Sequence, residues 1–300
     1  MALSDDHVRV EPWVPPVPVD RSACPFCAGV PGPVIGRVGE AWAVPHRAPA
    51  LRVEEGTEGL RDGPGWVRPG LGAHEVLIES AHHEPLGEQP VARSVHALLL
   101  ARLRHQDLRR DDRLRWAGWR RVEGGHQRHP HAEVVALPML PRDVEAERLW
   151  LGAHPHRLQD VVDHERHRGA RVVFDDGEVL AWCAQAPAVP FAVRVAVDRA
   201  GPTWLHAPDD TLGRVARVVR RVGLALDAAL GPHQREVALH QGPLHEPRAP
   251  GWWVEIRPST AVRPSFLGGV VPAHPGWPEA AAARLRAVCH DAGEEEGAQR

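Results

Sequence analysis

The stretch that decides the fold is His129-Pro130-His131-Ala132-Glu133, which runs into the apolar segment Val134-Val135-Ala136-Leu137. Side chains two positions apart in a strand lie on the same face, so His129 and His131 point in the same direction. One imidazole can then hold a metal ion while the other offers a ring nitrogen to a substrate. The pattern indicates chemistry on a phosphate group, carried by a strand that begins at this motif.

A pair of cysteines lies more than a hundred positions upstream, in Cys24-Pro25-Phe26-Cys27. Two thiolates at this spacing can bind one tetrahedral zinc ion from a tight turn, although a single pair is only half of a site. The chain has 20 histidines, so chance pairs such as His154-Pro155-His156 also arise. From the residues alone, the two cysteines are either structural metal ligands or ordinary buried cysteines.

Residues near the histidine motif favour binding of an anion. Gly124 and Gly125 precede it and allow the backbone to approach a phosphate closely. Arginine side chains that can pair with phosphate oxygens lie nearby, at Arg120, Arg121 and Arg128. The alternative is a solvent-exposed strand end that happens to be rich in histidine.

Composition limits the classes of protein to consider. The 300 residues are 43% hydrophobic, enough to bury a sizeable core in one large domain or two smaller ones. A net charge of −3 and the lack of a long apolar run argue against polynucleotide and membrane partners. The polar, acidic start over residues 1–10 shows no secretory signal, so we expect a cytoplasmic protein without a disulfide framework.

Periodicity predicts an alternation of strands and helices in both halves of the chain. The strands are expected near residues 75–79, 114–122, 133–137, 171–174, 179–183, 191–197, 236–240 and 253–257. Helices are expected over residues 90–103, after an N-cap at Asp209 or Asp210, and over residues 278–288. The halves are of similar size, and each reads as strand, helix, strand.

The order of motifs resembles the galactose-1-phosphate uridylyltransferase family of the histidine-triad superfamily. The resemblance rests on Cys24 to Cys27, on residues 45–51 (PHRAPAL), on residues 72–83 (GAHEVLIESAHH), and on the Gly-Gly and His-Pro-His segments. It continues through residues 190–192 (PFA), 239–243 (LHQGP) and 253–258 (WVEIRP). The similarity therefore extends from about residue 20 to residue 288.

The resemblance implies an α+β fold with two histidine-triad-like halves, mainly antiparallel sheet with flanking helices. We expect an extended N-terminal segment over residues 1–19 and a first half over residues 20–150 that carries the zinc and the nucleophile. A second half over residues 151–290 and a disordered tail over residues 291–300 would follow. Members of this family commonly pair as homodimers, and the resemblance extends that expectation to this chain.

The resemblance also implies roles for individual residues. It assigns a structural zinc ion to Cys24, Cys27, His83 and His129. It makes His131 the nucleophile that attacks the α-phosphorus of a nucleotide sugar, and a phosphate acceptor then resolves the nucleotidyl-histidine. The implied partners are small molecules, a nucleotide sugar or a sugar phosphate.

One departure from the family pattern concerns the reaction itself. The transferases have Gln two residues after the nucleophile, whereas this chain has Glu133. An ionised carboxylate about 4 Å from a phosphate would cost several kcal/mol in a partly dehydrated site. Either Glu133 is protonated, or an arginine or a metal ion neutralises it, or the reaction differs.

Other departures are weaker, because the chain contains no Lys, Asn or Tyr and so reflects a biased composition. His46 stands where the family has an Asn near the nucleotide base, and Arg120-Arg121 stands in place of a Lys-Asn pair. Trp253 or a neighbour replaces a histidine of the C-terminal block, so we expect no counterpart of the second metal site of some members. His240 alone would not hold a metal ion.

The sequence thus predicts a nucleotidyltransferase that exchanges a nucleoside monophosphate through His131, with Glu133 as a modified partner on the phosphate side. The alternative is a diverged hydrolase, phosphorylase or lyase in which Glu133 serves as general base or metal ligand. A third hypothesis is a zinc-stabilised nucleotide-binding protein without turnover.

Overall fold

The computed structural model describes most of the chain. The described residues are 24, 26–27, 32–83, 89–123, 129–154, 156–187, 189–231, 233–246, 251–259, 265–266, 271–272 and 276–297. The N-terminal segment predicted over residues 1–19 lies outside them. None of the helices in the described residues has the length and apolar content that a bilayer span requires.

Ten strands form one large sheet, and every pairing in it is antiparallel. In chain order they are β1 (Gly36–Val38), β2 (Ala41–Pro45), β5 (Ala73–Ile78), β6 (Trp116–Glu123), β7 (His131–Leu137), β8 (Val172–Asp175), β9 (Val179–Cys183), β10 (Val193–Val197), β11 (Arg235–Gln241) and β12 (Trp252–Pro258). Two short pairs lie outside the sheet, β3 (Leu60–Asp62) with β4 (Gly65–Val67), and β13 (Ser265–Phe266) with β14 (Val271–Pro272).

The strand order shows that the two halves repeat one topology. The sheet runs β1-β2-β5-β7-β6-β11-β12-β10-β9-β8. Read outward from the centre, the first half gives β6-β7-β5-β2-β1 and the second gives β11-β12-β10-β9-β8. The halves meet where β6 pairs with β11, so the fold is α+β, with two halves of one topology joined in a single antiparallel sheet.

Five helices flank the sheet. They are α1 (Val91–Leu108), α2 (Arg142–Gly152), α3 (Arg157–Arg168), α4 (Asp209–Leu230) and α5 (Pro278–Gly297). Helices α1, α4 and α5 cover one face, which we call the helix face, and bury its apolar side chains in the main core. The opposite face is the site face. Apolar residues of α2 and α3 cover only the second-half end of it, where Leu151 and Val162 pack near Trp182.

The sequence periodicity predicted strands β5 to β12 and helices α1, α4 and α5. It did not predict helices α2 and α3 or strands β1 to β4, β13 and β14, and three further details differ. Pro208, rather than Asp209 or Asp210, is the N-cap of α4, and both aspartates lie in its first turn, where carboxylates favour the helix dipole. Helix α5 continues to Gly297, so residues 291–297 of the predicted disordered tail are helical. An established helix adds one hydrogen bond per residue, and Glu294–Glu296 have good helix propensity.

The predicted boundary between the halves, at residues 150 and 151, falls inside α2. Leu151 packs with residues of β9 and β10, such as Trp182 and Ala196. The connection between the two halves is therefore part of the packed structure.

Candidate active site

The four residues expected to bind zinc come together at the start of β7. Cys24, Cys27, His83 and His129 each offer one ligand atom, and these atoms lie within 4.8 Å of one another. Cys24 and Cys27 are joined by a turn in which the Cys27 N–H donates to the Cys24 carbonyl at 3.2 Å. His129 and Cys24 are buried, at 1% and 4% exposure. Residues from three distant parts of the sequence thus converge on one point.

The separations around His129 fit a tetrahedral ion with sulfur and nitrogen ligands, while Cys27 Sγ and His83 Nε2 lie closer together, at 3.1 Å. Zinc–sulfur bonds of about 2.3 Å and zinc–nitrogen bonds of about 2.0–2.1 Å place sulfur and nitrogen ligands ~3.6 Å apart. The His129 Nδ1 atom lies 3.6 Å from Cys24 Sγ and 3.5 Å from Cys27 Sγ. It lies 3.3 Å from His83 Nε2, close to the ~3.3 Å of two nitrogens around zinc. The donor set and spacing could hold a metal ion of the zinc type.

The second nitrogen of His129 is held as a metal-binding histidine requires. Its Nε2 atom lies 2.6 Å from the Ser80 carbonyl oxygen, so Nε2–H donates there and Nδ1 keeps a lone pair for the ion. Burial lowers the pKa of His129 to about 4, which keeps the ring neutral at pH 7. The ring is therefore in the charge state and tautomer of a ligand.

His131, the first residue of β7, lies beside this group with its ring partly exposed. Its Nδ1 atom lies 2.8 Å from the backbone carbonyl oxygen of His129, which can only accept a hydrogen bond. The proton therefore belongs on Nδ1, and Nε2 carries the free lone pair. Phe26, between the two cysteines, has its ring centroid 5.4 Å from that of His129 and 5.7 Å from that of His131. The cysteine turn thus packs directly against the candidate nucleophile.

Glu133 is paired with an arginine on the neighbouring strand. Arg120 lies opposite it in the sheet and donates from Nε and Nη2 to Glu133 Oε2, at 3.0 and 2.8 Å. Burial opposes ionisation of Glu133, but the hydrogen bonds and charge of Arg120 outweigh burial and leave its pKa below the usual value. Of the possibilities that the sequence left open, neutralisation by an arginine is the one in this structure.

Two further histidines extend this polar row across the site face. The rings of His46 and His74 are stacked, with centroids 4.0 Å apart and planes within 6°. The sequence analysis missed His74, which alternates with the buried Glu75 on β5 and so had to face the other side of the sheet. Together with Glu133 the two rings form a second group that could hold a metal ion by proximity alone.

The hydrogen bonds of this pair point to a different role. The His46 Nδ1 atom accepts the Ala48 N–H at 3.1 Å, and the His74 Nδ1 atom accepts the Ala50 N–H at 3.3 Å. In the neutral rings the proton is then on Nε2, so each free nitrogen is a hydrogen-bond donor rather than a metal ligand. Burial, followed by the charge of His46, lowers the pKa of His74 and favours its neutral form.

The other predicted phosphate contacts do not join this row. Arg121 follows Arg120 in β6, so its side chain points to the helix face, where it is 5% exposed and paired with Glu79 and Glu123. The structure therefore does not bring Arg121 to the site. Gly124, Gly125 and Arg128 lie outside the described residues.

A cavity of about 220 Å³ opens on the site face next to Glu133 and Arg120. Trp116 and Val135 form part of its wall, and Glu147 of α2 faces it from the other side. The volume is below the ~300 Å³ at which pockets for complete small ligands begin, so it has room for part of a substrate. The cavity extends from the first half toward His240 on β11.

Among the described residues, the second half has glycine at the position that corresponds to His131. The repeated topology and the prolines at the ends of β7 and β12 place Gly251 where the first half has His131. The opposed pair Arg120 and Glu133 corresponds to the opposed pair His240 and Trp253. The latter two rings are stacked, with centroids 5.0 Å apart. The candidate chemistry therefore belongs to the first half.

The fold of the chain is similar to that of several solved protein structures. No protein-family model and no curated protein matches the sequence. Solved structures match almost the whole chain at low identity. A uridylyltransferase superposes with a TM-score of 0.74 and 22% identity, covering 95% of this chain and 98% of the other.

Two plant proteins superpose equally well. ADP-glucose phosphorylase from Arabidopsis thaliana, with bound ADP-glucose, gives a TM-score of 0.76 at 19% identity over 88% of this chain and 90% of that one. A galt-like protein from the same plant gives 0.72 at 20% identity over 88% and 91%. The chain therefore has the fold shared by uridylyltransferases, galt-like proteins and ADP-glucose phosphorylase. This fold agrees with the one that the resemblance of its motifs implied.

Proposed function

We propose that this protein is a nucleotidyltransferase that exchanges a nucleoside monophosphate between a nucleotide sugar and a phosphate acceptor through His131. The observation that carries the proposal is the His131 ring, whose Nδ1–H is held by the His129 carbonyl at 2.8 Å and whose Nε2 is free. Its location on the site face, two residues from Glu133 and its partner Arg120, supports a phosphate as the group attacked. The structural neighbours include a uridylyltransferase and a phosphorylase with bound ADP-glucose, which favours the same class of substrate.

The reaction proceeds in two displacements at one phosphorus atom. The His131 Nε2 lone pair forms a bond to the α-phosphorus, and the bond from that phosphorus to the bridging oxygen breaks, with its electrons leaving on the sugar phosphate. An oxygen of the acceptor phosphate then attacks the same phosphorus, and Nε2 departs with its electron pair. The Nδ1 proton stays on His131 throughout, since it remains bonded to the His129 carbonyl.

We assign Glu133 to orientation of Arg120. Arg120 uses Nε and Nη2 to hold the carboxylate, and its remaining N–H groups can reach a phosphoryl oxygen. The arginine side chain is 54% exposed, so it is accessible to a substrate. In this arrangement the cation supplies the donor that the amide of Gln supplies in the family pattern.

We assign a structural zinc ion to Cys24, Cys27, His83 and His129. When bound, zinc would contribute fixed coordination of these four side chains. His129 would then be held at both ring nitrogens, and its carbonyl would keep His131 in one tautomer. Cytoplasmic location and pairing into homodimers stay predictions.

The proposal is tested by incubating the protein with UDP-glucose or ADP-glucose without an acceptor and measuring its intact mass. We expect an adduct of one nucleoside monophosphate in the wild type and none in His131→Ala. The matched control is His206→Ala, a histidine in the short helical turn Trp204–His206, away from the site, which should keep the adduct.

Two other results would favour the alternatives. Turnover that depends on added metal, without an adduct, would support a hydrolase or lyase in which Glu133 works with His46 and His74, the group whose atoms lie within 4.8 Å. Tight nucleotide binding without any turnover would support a binding protein.

A further inference from the structure

Arg121 is part of a row of buried charges that crosses the boundary between the two halves. Its Nε donates to Glu79 Oε1 at 2.7 Å, and its Nη1 lies 3.3 Å from Glu123 Oε1. Arg235 of β11 pairs with the other oxygen of Glu123 and, at 2.7 Å, with Asp227 of α4. The side chains of Arg121 and Glu79 are only 6% and 3% exposed. Three carboxylates, those of Glu79, Glu123 and Asp227, thus pair with the two guanidinium groups of Arg121 and Arg235.

The Glu79 end of this row contacts the segment that carries the nucleophile. The Glu79 backbone N–H donates to the Pro130 carbonyl at 3.2 Å. The next residue, Ser80, offers the carbonyl that accepts the His129 Nε2–H at 2.6 Å. Since the His129 carbonyl in turn accepts the His131 Nδ1–H, two backbone contacts connect residues 79 and 80 to the ring of His131.

Residues 79 and 80 follow the last residue of β5, so they are past the end of the β5–β7 ladder, whose final pair is Ile78 with His131. Beyond that pair the backbone needs another support. The carboxylate of Glu79, held by Arg121, supplies it from the helix face, while Phe26 of the cysteine turn contacts the His129 ring and packs near Ile78 on the site face.

We propose that Arg121 and Glu79 are positioning residues for His131, which hold residues 79 and 80 so that the His129 carbonyl fixes the His131 tautomer. The proposal rests on the proposed function only for its kinetic consequence. It also gives Arg121 a role that differs from the phosphate contact expected from the sequence. Displacements of about 1 Å at a reacting group can reduce a rate about 100-fold. Loss of the ion pair between Arg121 and Glu79 can therefore slow the reaction measurably even though neither residue contacts the substrate.

The test compares Glu79→Ala with Glu79→Gln, which keeps an acceptor for Arg121. A matched control is Glu165→Ala, which breaks an equally buried pair, Arg171 with Glu165 at 2.7 Å, beside β8 at the far edge of the sheet. Because Glu79→Ala leaves a buried cation and can fail to fold, Arg121→Met serves as the second variant. In it the long apolar side chain fills the space and Glu79 can take up a proton.

The measurements are the single-turnover rate of adduct formation with UDP-glucose, the zinc content, and the ¹⁵N chemical shifts of the His131 ring. We expect Glu79→Ala and Arg121→Met to slow the adduct at least ~10-fold and to shift the ring toward a mixture of tautomers, with zinc retained. Glu79→Gln should recover most of both signals. Glu165→Ala should match the wild type in both.

The proposal fails if Glu79→Ala and Arg121→Met give the same tautomer signal as Glu165→Ala. A wild type that forms no adduct, together with a tautomer shift in Glu79→Ala, would reject the proposed function and support the positioning role. The ring signals need no turnover, so the two failures are distinguishable.

Discussion

Arg120 donates two hydrogen bonds to a single carboxylate oxygen of Glu133, at 3.0 and 2.8 Å, from the neighbouring strand of the sheet. Glu133 lies two residues from the candidate nucleophile, His131. The charge of Arg120 neutralises its carboxylate, which would otherwise repel a phosphate. From the sequence, Glu133 looked unfavourable for phosphate chemistry. In the structure its carboxylate instead holds the guanidinium group of Arg120.

Replacing Glu133 by Gln tests whether the carboxylate has a chemical role. We expect Glu133→Gln to fold and to form the nucleotidyl adduct at the wild-type rate or faster, because the amide oxygen can still accept a hydrogen bond from Arg120 while the amide NH2 group can donate to a phosphoryl oxygen. Rapid-quench measurement of the adduct provides the rate. Complete loss of adduct with intact folding would make the carboxylate essential and would favour the alternative of a general base.

Replacing Arg120 by Gln removes the cation and leaves Glu133 unpaired. Loss of a charged donor at a developing phosphoryl charge costs about 10²–10³ in rate, so kcat/KM should fall by roughly that factor. Arg157→Gln is the control, since that arginine lies over Trp150 at the α2–α3 end of the molecule. Equal effects of the two substitutions would contradict the assignment of Arg120.

The sequence predicted more of the metal group than of the phosphate contacts. The family resemblance implied Cys24, Cys27, His83 and His129 as a ligand set, and the structure brings their ligand atoms within 4.8 Å of one another. Arg120 and Arg121 are adjacent in β6 and so face opposite sides of the sheet. Trp119 lies on the same face of β6 as Arg121, and Val122 lies on the same face as Arg120, so each face has one apolar residue and one arginine. The alternation of apolar and polar residues therefore could not predict which arginine faces the site.

His74 shows the reverse case, in which a signal was present but was not used. The alternation of His74 with Glu75 on β5 separates a site-face residue from one that pairs with Arg104 of α1 at 2.8 Å. The stacking of His74 on His46, by contrast, depends on the pairing of β2 with β5, which the His46 N–H continues by donating to the His74 carbonyl at 2.9 Å. Local periodicity contains no information about such a contact.

Substitution of a cysteine tests the metal group. Cys24→Ser should lower both the zinc content, which we expect at about one ion per chain, and the melting temperature, because binding of a structural ion stabilises the folded state. Cys183→Ser is the matched control, since Cys183 is also buried, at 1% exposure, but lies in the core. It should lower stability without loss of zinc. A metal-free wild type of full stability would contradict the assignment.

Stability should fall in mild acid because of a buried histidine in α1. His105 is fully buried, its Nδ1 atom lies 2.7 Å from the Ala101 carbonyl, and burial lowers its pKa to about 4. The unfolded chain takes up this proton near pH 6.5 and the folded one near pH 4, so stability is complete above pH 6.5 and declines as the pH falls through that window.

Protonation of His105 in the unfolded chain should lower the free energy of unfolding at pH 5 by about 2 kcal/mol relative to pH 7. This figure comes from the one and a half pH units between 6.5 and 5, at about 1.36 kcal/mol each. Urea unfolding at pH 7 and pH 5 measures it. The loss of unfolding free energy between the two pH values should be smaller by about this amount in His105→Phe. An equal loss in both proteins would show that His105 is not the group that titrates.

The most direct test of the central claim is to locate the covalent adduct. After reaction with UDP-glucose in the absence of acceptor, digestion and tandem mass spectrometry should place one nucleoside monophosphate on the ring of His131, and addition of inorganic phosphate should remove it. An adduct on any other residue would contradict the account. Consumption of UDP-glucose by a protein that never forms a nucleotidyl adduct would contradict it as well.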